Sequence, residues 1–260
     1  MPPKRSERDI ALQLYTLRNQ LATSPEATFD TIVDAGYTAV ELFRPIELSA
    51  TFGGQLERRG LRVPSVHAQL VGRDAAPIFD TASALGAGTV IDPRVDPAAW
   101  TTRDGILRTA EALNALAEEA AAWDLHVGYH NHDVELSSLI DGTPALLVLD
   151  GALDAVVVLE VDVYWAAVGG ADVVGLLTEL GDRVRLLHLK DGPATATGAI
   201  DPDLAKQVPF GAGVLDAPAV LAAAPGASTL VVEFDDFDGD LQQTIADARH
   251  RVQTLVEGER

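Results

Sequence analysis

The stretch Leu186-Leu187-His188-Leu189-Lys190-Asp191 is an apolar run that breaks at its C-terminal side into histidine, lysine and aspartate. Three other segments behave alike: Gly128-Tyr129-His130-Asn131-His132, Leu159-Glu160-Val161-Asp162 and Val231-Val232-Glu233-Phe234. Short, β-branched runs of this kind read as strands buried on both faces, the pattern of a parallel sheet. Charged side chains are almost never buried there unless paired or bound to metal. One such ending would mean little; four in succession mark a site.

Outward from these four, strand-like runs recur at Ile10–Tyr15, Ala39–Phe43, Val63–His67, Thr89–Asp92, His126–His130, Val156–Asp162, Val184–Leu189 and Leu230–Phe234. Helix-like segments lie between them. The clearest is Arg103–Trp123, where Ile106, Leu107, Ala110, Leu113, Leu116 and Ala117 keep helical spacing. Others fall near Thr28–Ala35, Ala75–Leu85, Thr143–Leu149, Ala171–Leu180, Ala217–Ala223 and Leu241–Val256, with Gly36, Gly60, Gly86, Asp124 and Gly181 at junctions. Eight βα units in 260 residues predict an α/β fold, a single-domain (β/α)8 TIM barrel over residues 1–260. A doubly wound sheet would carry a Gly-rich phosphate loop after its first strand, and Leu14-Tyr15-Thr16-Leu17-Arg18 is not one. The long Ala-, Gly- and Pro-rich segment Gly192–Gly213 reads as an active-site cover.

Composition narrows the function. Nineteen basic against 39 acidic residues give a formal charge of −20, which argues against a nucleic-acid partner. There is no cysteine, so any metal must use nitrogen and oxygen donors. The N-terminus, Met1–Asp9, is polar, and no apolar run resembles a signal peptide or a membrane span; a cytoplasmic protein without a membrane partner is expected. A homo-oligomer is compatible with the sequence, which leaves oligomeric state open.

In a barrel, strand C-termini converge on one mouth. The strand ends supply Glu41, His67, Asp92, His130 with His132, Asp162, His188 with Lys190, and Glu233. His130, Asp162, His188 and Glu233 end strands five to eight, and two imidazoles with two carboxylates suit one divalent ion: Mn²⁺, Zn²⁺, Co²⁺, Mg²⁺ or Fe²⁺. Glu41 and His67 are candidate substrate contacts, as is Trp165, whose flat face suits a sugar ring. Lys190 either meets substrate or pairs with Asp191 or Glu160. Asp92, followed by Pro93, reads as a turn residue. The structural alternative for Asp162, His188 and Glu233 is a set of salt bridges lining the mouth.

The motifs Tyr129-His130-Asn131-His132-Asp133-Val134-Glu135, Glu160-Val161-Asp162-Val163-Tyr164-Trp165, His188-Leu189-Lys190-Asp191 and Phe210-Gly211-Ala212-Gly213-Val214-Leu215-Asp216 together resemble the xylose isomerase-like TIM barrel superfamily. Within it, they are similar to the sugar phosphate isomerase/epimerase group. The resemblance implies a divalent cation held by Glu, Asp, His and Glu from strands five to eight. Asp162, His188 and Glu233 match the last three, while His130 stands where the family's first Glu would be. It implies proton abstraction next to a carbonyl of a small sugar or polyol, with Glu233 as base and His130 or His132 handling the second proton. In this scheme Lys190 neutralises developing charge. A dehydratase or lyase acting on a keto-sugar or inosose is the alternative, and a non-catalytic sugar-binding barrel or subunit is a third. Phosphodiester hydrolysis, also found in the superfamily, is disfavoured by the charge.

Overall fold

The computed structural model describes residues 8–258, so most of the polar N-terminal stretch read above, residues 1–7, lies outside the described residues. Eight strands close into one parallel ring: β1 (Asp9–Gln13), β2 (Ala39–Phe43), β3 (Ser65–His67), β4 (Thr89–Asp92), β5 (His126–His130), β6 (Val158–Asp162), β7 (Val184–Leu189) and β8 (Thr229–Val232). Each pairs with its sequence neighbours, and β1 pairs with β8 to complete the barrel. Helices α1 (Pro25–Asp34), α2 (Pro45–Arg59), α3 (Ala76–Ala84), α4 (Arg103–Ala120), α5 (Ala145–Asp150), α6 (Val173–Leu180), α7 (Ala217–Ala223) and α8 (Leu241–Gly258) alternate with the strands. This is the (β/α)8 barrel that the strand count predicts. No helix among the described residues is long and apolar enough to cross a membrane.

Several details depart from the sequence reading. Strand β1 stops at Gln13 and passes into a tight turn at Leu14–Leu17, and β8 ends at Val232, one residue short of Glu233. Helix α2 is new. It carries only the narrow apolar stripe Leu48, Phe52, Leu56, and Gly53-Gly54 interrupts it.

The period of two along each strand sorts the side chains. Outward-facing residues such as Leu12, Val40, Val66, Val90, Val127, Val161, Leu187 and Leu230 join the helices in one large core. On the opposite parity, Ala11, Ala39 and Val231 form one small cluster and Ile91, Val158 and Leu186 another. They floor the barrel. Each burial of a Val- or Leu-sized side chain is worth about 1.5–3 kcal/mol. Two residues further along the same parity, the barrel turns polar, with Gln13, Glu41, His67, Glu160 and His188 all buried. That layer costs stability unless every member is paired.

Candidate metal and active site

The polar layer is a connected network. Glu160 Oε2 lies 2.5 Å from His67 Nε2, 3.1 Å from His130 Nδ1 and 3.2 Å from His188 Nε2. Glu41 Oε1 accepts from Gln13 Nε2 at 2.8 Å and sits 2.8 Å from His188 Nε2, while its Oε2 accepts from Ser65. Burial raises the Glu41 carboxyl, as does the Glu160 charge beside it. Burial works the same way on Glu160, but His188 and His67 overcome it and hold that carboxyl well below the usual range.

One layer nearer the mouth, a second group shares His188. Its Nδ1 lies 2.9 Å from Glu233 Oε2, and His130 Nε2 lies 3.8 Å from Asp162 Oδ2. Donor atoms of Asp162, His188 and Glu233 all fall within 4.8 Å of one another; those of His67, His130, Glu160 and His188 form an overlapping set of the same span. Lys190, also buried, places its ammonium 2.9 Å from Asp162 Oδ2, 2.6 Å from Glu233 Oε2 and 2.8 Å from Asp235 Oδ2. Burial disfavours that charge, yet the three carboxylates hold the Lys190 pKa well above its ordinary value. Burial raises the Asp162 carboxyl to about 6 against the pull of Lys190 and His188. For His188 burial is likewise opposed, here by Glu160 and Glu233, which lift the imidazole well above its usual range.

The YHNHDVE motif (residues 129–135) builds the rim of this group. Tyr129 donates its hydroxyl to Glu135 at 2.6 Å, and Glu135 Oε2 accepts the His132 backbone N–H at 2.8 Å. Asn131 Oδ1 accepts the Asp162 N–H at 3.0 Å, and its Nδ2 donates to the Asp162 carbonyl, which pins the ends of β5 and β6 together. Asp162 Oδ1 accepts from Trp165 N at 2.9 Å and so caps the short helix Val163–Val168. Its Oδ2 is left to the Lys190 ammonium, 2.9 Å away.

Above the group opens a cleft of about 780 Å³ lined by residues that include Tyr15, Arg44, His67, His130, His132, Trp165, Glu233 and Asp235. His67, His132 and Trp165 therefore face the space a substrate would use. Glu41 does not. It is fully buried behind His67 and His188, so it orients imidazoles and cannot touch a ligand in the cleft. Lys190 is also absent from the lining, and its partners are Asp162, Glu233 and Asp235 rather than Asp191 or Glu160. The His132 ring makes no hydrogen bond among the described residues; burial and the Lys190 charge push its pKa down to about 4. It is a neutral imidazole, open to the cleft.

A model of the xylose isomerase-like TIM barrel family matches residues 29–250. The chain belongs to that family. No curated protein matches the sequence. Among solved structures, a sugar phosphate isomerase/epimerase from Parabacteroides distasonis ATCC 8503 is 21% identical with a TM-score of 0.74, covering 96% of this chain and 95% of that one. The probable 3-DHS dehydratase involved in petrobactin synthesis from Bacillus anthracis is 13% identical with a TM-score of 0.72, over 94% of this chain and 98% of that chain. The IOLI protein, solved with a zinc atom bound, is 13% identical with a TM-score of 0.67, over 95% of this chain and 96% of that chain. At these identities the likeness is one of fold.

For this member of the xylose isomerase-like barrels, the donors fit a divalent ion. Asp162 Oδ2 is buried and accepts no hydrogen bond, met instead by the charge of the Lys190 ammonium 2.9 Å away. The two imidazoles nearest it are backed by carboxylates on their far nitrogens, His130 by Glu160 and His188 by Glu41 and Glu160. A histidine that ligates metal through one nitrogen while the other meets a carboxylate is the usual supported arrangement. Glu160 and Asp235 are the residues the sequence reading passed over. Each lies two positions from a predicted ligand, Asp162 and Glu233; strand parity points Glu160 into the barrel, while Asp235, beyond the end of β8, joins the site through Lys190.

The segment Gly192–Gly213 contributes no residue to the cleft lining, so it does not cover the site as expected. It braces the site from the side. Gln207 exchanges two hydrogen bonds with Asp235, at 2.9 Å each, and the Asp191 carboxylate gathers the N–H groups of Gly192, Gly211, Gly213, Val214 and Leu215. A Cβ at Gly213 would fall inside contact distance of the Gly192 carbonyl and that carboxylate. Gly213→Ala is expected to cost about 1–3 kcal/mol, as overpacking does. Chemical denaturation measures it, and unchanged stability would mean the carboxylate does not organise this segment.

Proposed function

We propose that this protein is a metal-dependent isomerase or epimerase that removes a proton next to the carbonyl of a small sugar or polyol. The observation that carries this reading is the convergence of Asp162, His188 and Glu233 donor atoms within 4.8 Å at the base of a cleft that a neutral His132 also faces. His130 Nε2, Asp162 Oδ2, His188 Nδ1 and Glu233 would hold the ion. When bound, it would polarise a carbonyl oxygen and stabilise negative charge developing there.

The chain's own groups supply the rest. Glu233 lines the cleft, and Lys190 and His188 overcome burial to keep it ionised, so it can accept the α-proton. Glu233, holding the abstracted proton, can return it to the neighbouring carbon. Delivery to the opposite face of the same carbon falls to His132, whose ring is unengaged and must first take a proton from water against its lowered pKa. Trp165 offers a flat wall, and His132 lies against it with ring centroids 5.9 Å apart. His130 is tied to Glu160 and acts as a ligand. Loss of a β-substituent after the same proton abstraction would make the protein a dehydratase, and product analysis separates the two.

Proton abstraction leaves a trace whatever the product. Ketoses and 3-keto sugars incubated in D₂O are expected to gain deuterium at the α-carbon, with metal required. Glu233→Gln should slow exchange by about 10²–10⁴-fold, the span of a general base. His132→Ala should slow product formation more than exchange. A broad panel of free, phosphorylated and 3-keto sugars without exchange, in protein shown by elemental analysis to be full of metal, would leave the non-catalytic sugar-binding reading in its place.

A further inference from the structure

The cleft has two ends of opposite charge. Its floor holds Glu233 and Asp235, already committed to Lys190. Its rim holds Arg44 and Arg94. In a chain with 39 acidic and 19 basic residues, some arginines pair with carboxylates, Arg59 with Asp30, Arg62 with Asp9, Arg103 with Asp141 and Arg183 with Asp150. Others on the outer surface, Arg58, Arg108 and Arg185 among them, make no ion pair among the described residues. What sets Arg44 and Arg94 apart is that they line the cleft. Neither guanidinium has an ion-pair or hydrogen-bond partner among the described residues; Arg44 rests only loosely over the Phe43 ring, 5.8 Å from its centroid. Glu47, the remaining acid at this rim, is one turn away on α2 and pairs with neither.

Both arginines are placed by the backbone rather than left on free loops. Arg44 sits at φ 46° and ψ 63°, left-handed for a residue with a Cβ, immediately before Pro45 starts α2. That conformation is costly and persists where surrounding structure imposes it, often at ligand-binding positions. Its N–H donates to the His67 carbonyl at 3.1 Å, which fixes it beside the end of β3. Arg94, beyond β4 on the other side of β3, donates its N–H to Asp92 Oδ1 at 3.0 Å, and Asp92 Oδ2 accepts from Leu70 and Val71. The two cations thus flank His67, and the Arg94 charge is felt at His132 across the cleft.

We infer that Arg44 and Arg94 form an anion-binding rim, and that the substrate carries a phosphate ester or carboxylate at the end remote from its reacting carbonyl. This inference rests on the reading above and adds the class of sugar. Planar guanidiniums match both anions with paired N–H donors. A negative group would be repelled by the acidic floor and drawn to the rim, which fixes the direction in which substrate enters. Each charged contact should change affinity about ten- to a hundredfold.

The test uses the whole protein, stripped of metal so that no ion can hold the anion, and isothermal titration with D-glucose, D-glucose 6-phosphate and D-gluconate. At least one anionic probe should bind ten times or more tighter than glucose. Arg44→Gln with Arg94→Gln should erase that preference, whereas Arg108→Gln, exposed on α4 away from the cleft, should preserve it. Preference for the phosphate alone assigns a sugar phosphate, and for gluconate alone a sugar acid. No preference, or one that survives the double variant, overturns the inference. Because binding needs no turnover, deuterium exchange that fails while the anion preference holds counts against the proposed chemistry instead.

Discussion

Metal-free protein is expected to melt roughly 8–16 °C lower than protein with Mn²⁺ or Zn²⁺ at about a thousand times its dissociation constant. That figure follows from about 4.1 kcal/mol of mass-action stabilisation and about 2–4 °C per kcal/mol for a chain of this size. It requires donors that converge only in the folded chain, and Asp162 and His188 come from two strands while Glu233 follows the end of a third. Asp162→Asn and Glu233→Gln should each lose most of the response, since each removes an anionic donor while nearly keeping shape. The overlapping set of His67, His130, Glu160 and His188 gives the experiment its edge. Substituting His67 by Asn should leave the metal response intact if the ion sits at the Asp162 level, and abolish it if the ion sits a layer deeper. Full response in Asp162→Asn and Glu233→Gln together would refute the assigned ligands.

The barrel was legible because parallel strands announce themselves by runs of Val, Ile and Leu, and because eight such runs alternate with helical spacing. That Asp162, His188 and Glu233 would meet at one mouth was legible for the same reason: a charge at the end of a doubly buried strand needs a partner there. What was hidden depended on contacts across the ring. Lys190 neighbours Asp191 in the chain, but its strand aims it at carboxylates from β6 and from beyond β8, while Asp191 turns to five backbone N–H groups of the segment after it. Glu41 was read as a strand end like His67, yet β2 runs on to Phe43, the residue in register with His67, and Glu41 behind it is sealed from the cleft. Strand ends identify the mouth but not the depth, because depth depends on the stagger between neighbouring strands. The α2 helix escaped because three apolar residues at intervals of four, split by a glycine pair, leave too narrow a stripe to register as amphipathic.

Lys190→Met is expected to destabilise metal-free protein by about 3–5 kcal/mol, the cost of stranding a buried charge by removing its partner. Three carboxylates share the one ammonium, and Asp162 and Glu233 are 0% and 8% exposed, too buried for water to replace it. Methionine keeps the length and apolar volume of the stem, so a cavity cannot explain the loss. Metal should then act differently on the two proteins. In the native chain the ammonium contacts Asp162 Oδ2 and Glu233 Oε2, the oxygens an ion would need, so binding must share or displace a resident cation. In Lys190→Met nothing competes, and the metal-induced rise in melting temperature should exceed that of the native chain. Adding Asp235→Asn should recover part of the metal-free loss, since the pair is coupled through the same ammonium. If Lys190→Met is as stable as the native protein without metal, Asp162 is carrying its own proton there, as a carboxyl raised to about 6 can. In that case the carboxylate cluster is not held by charge, and the Lys190 ammonium is not the cation that keeps the site assembled before metal arrives.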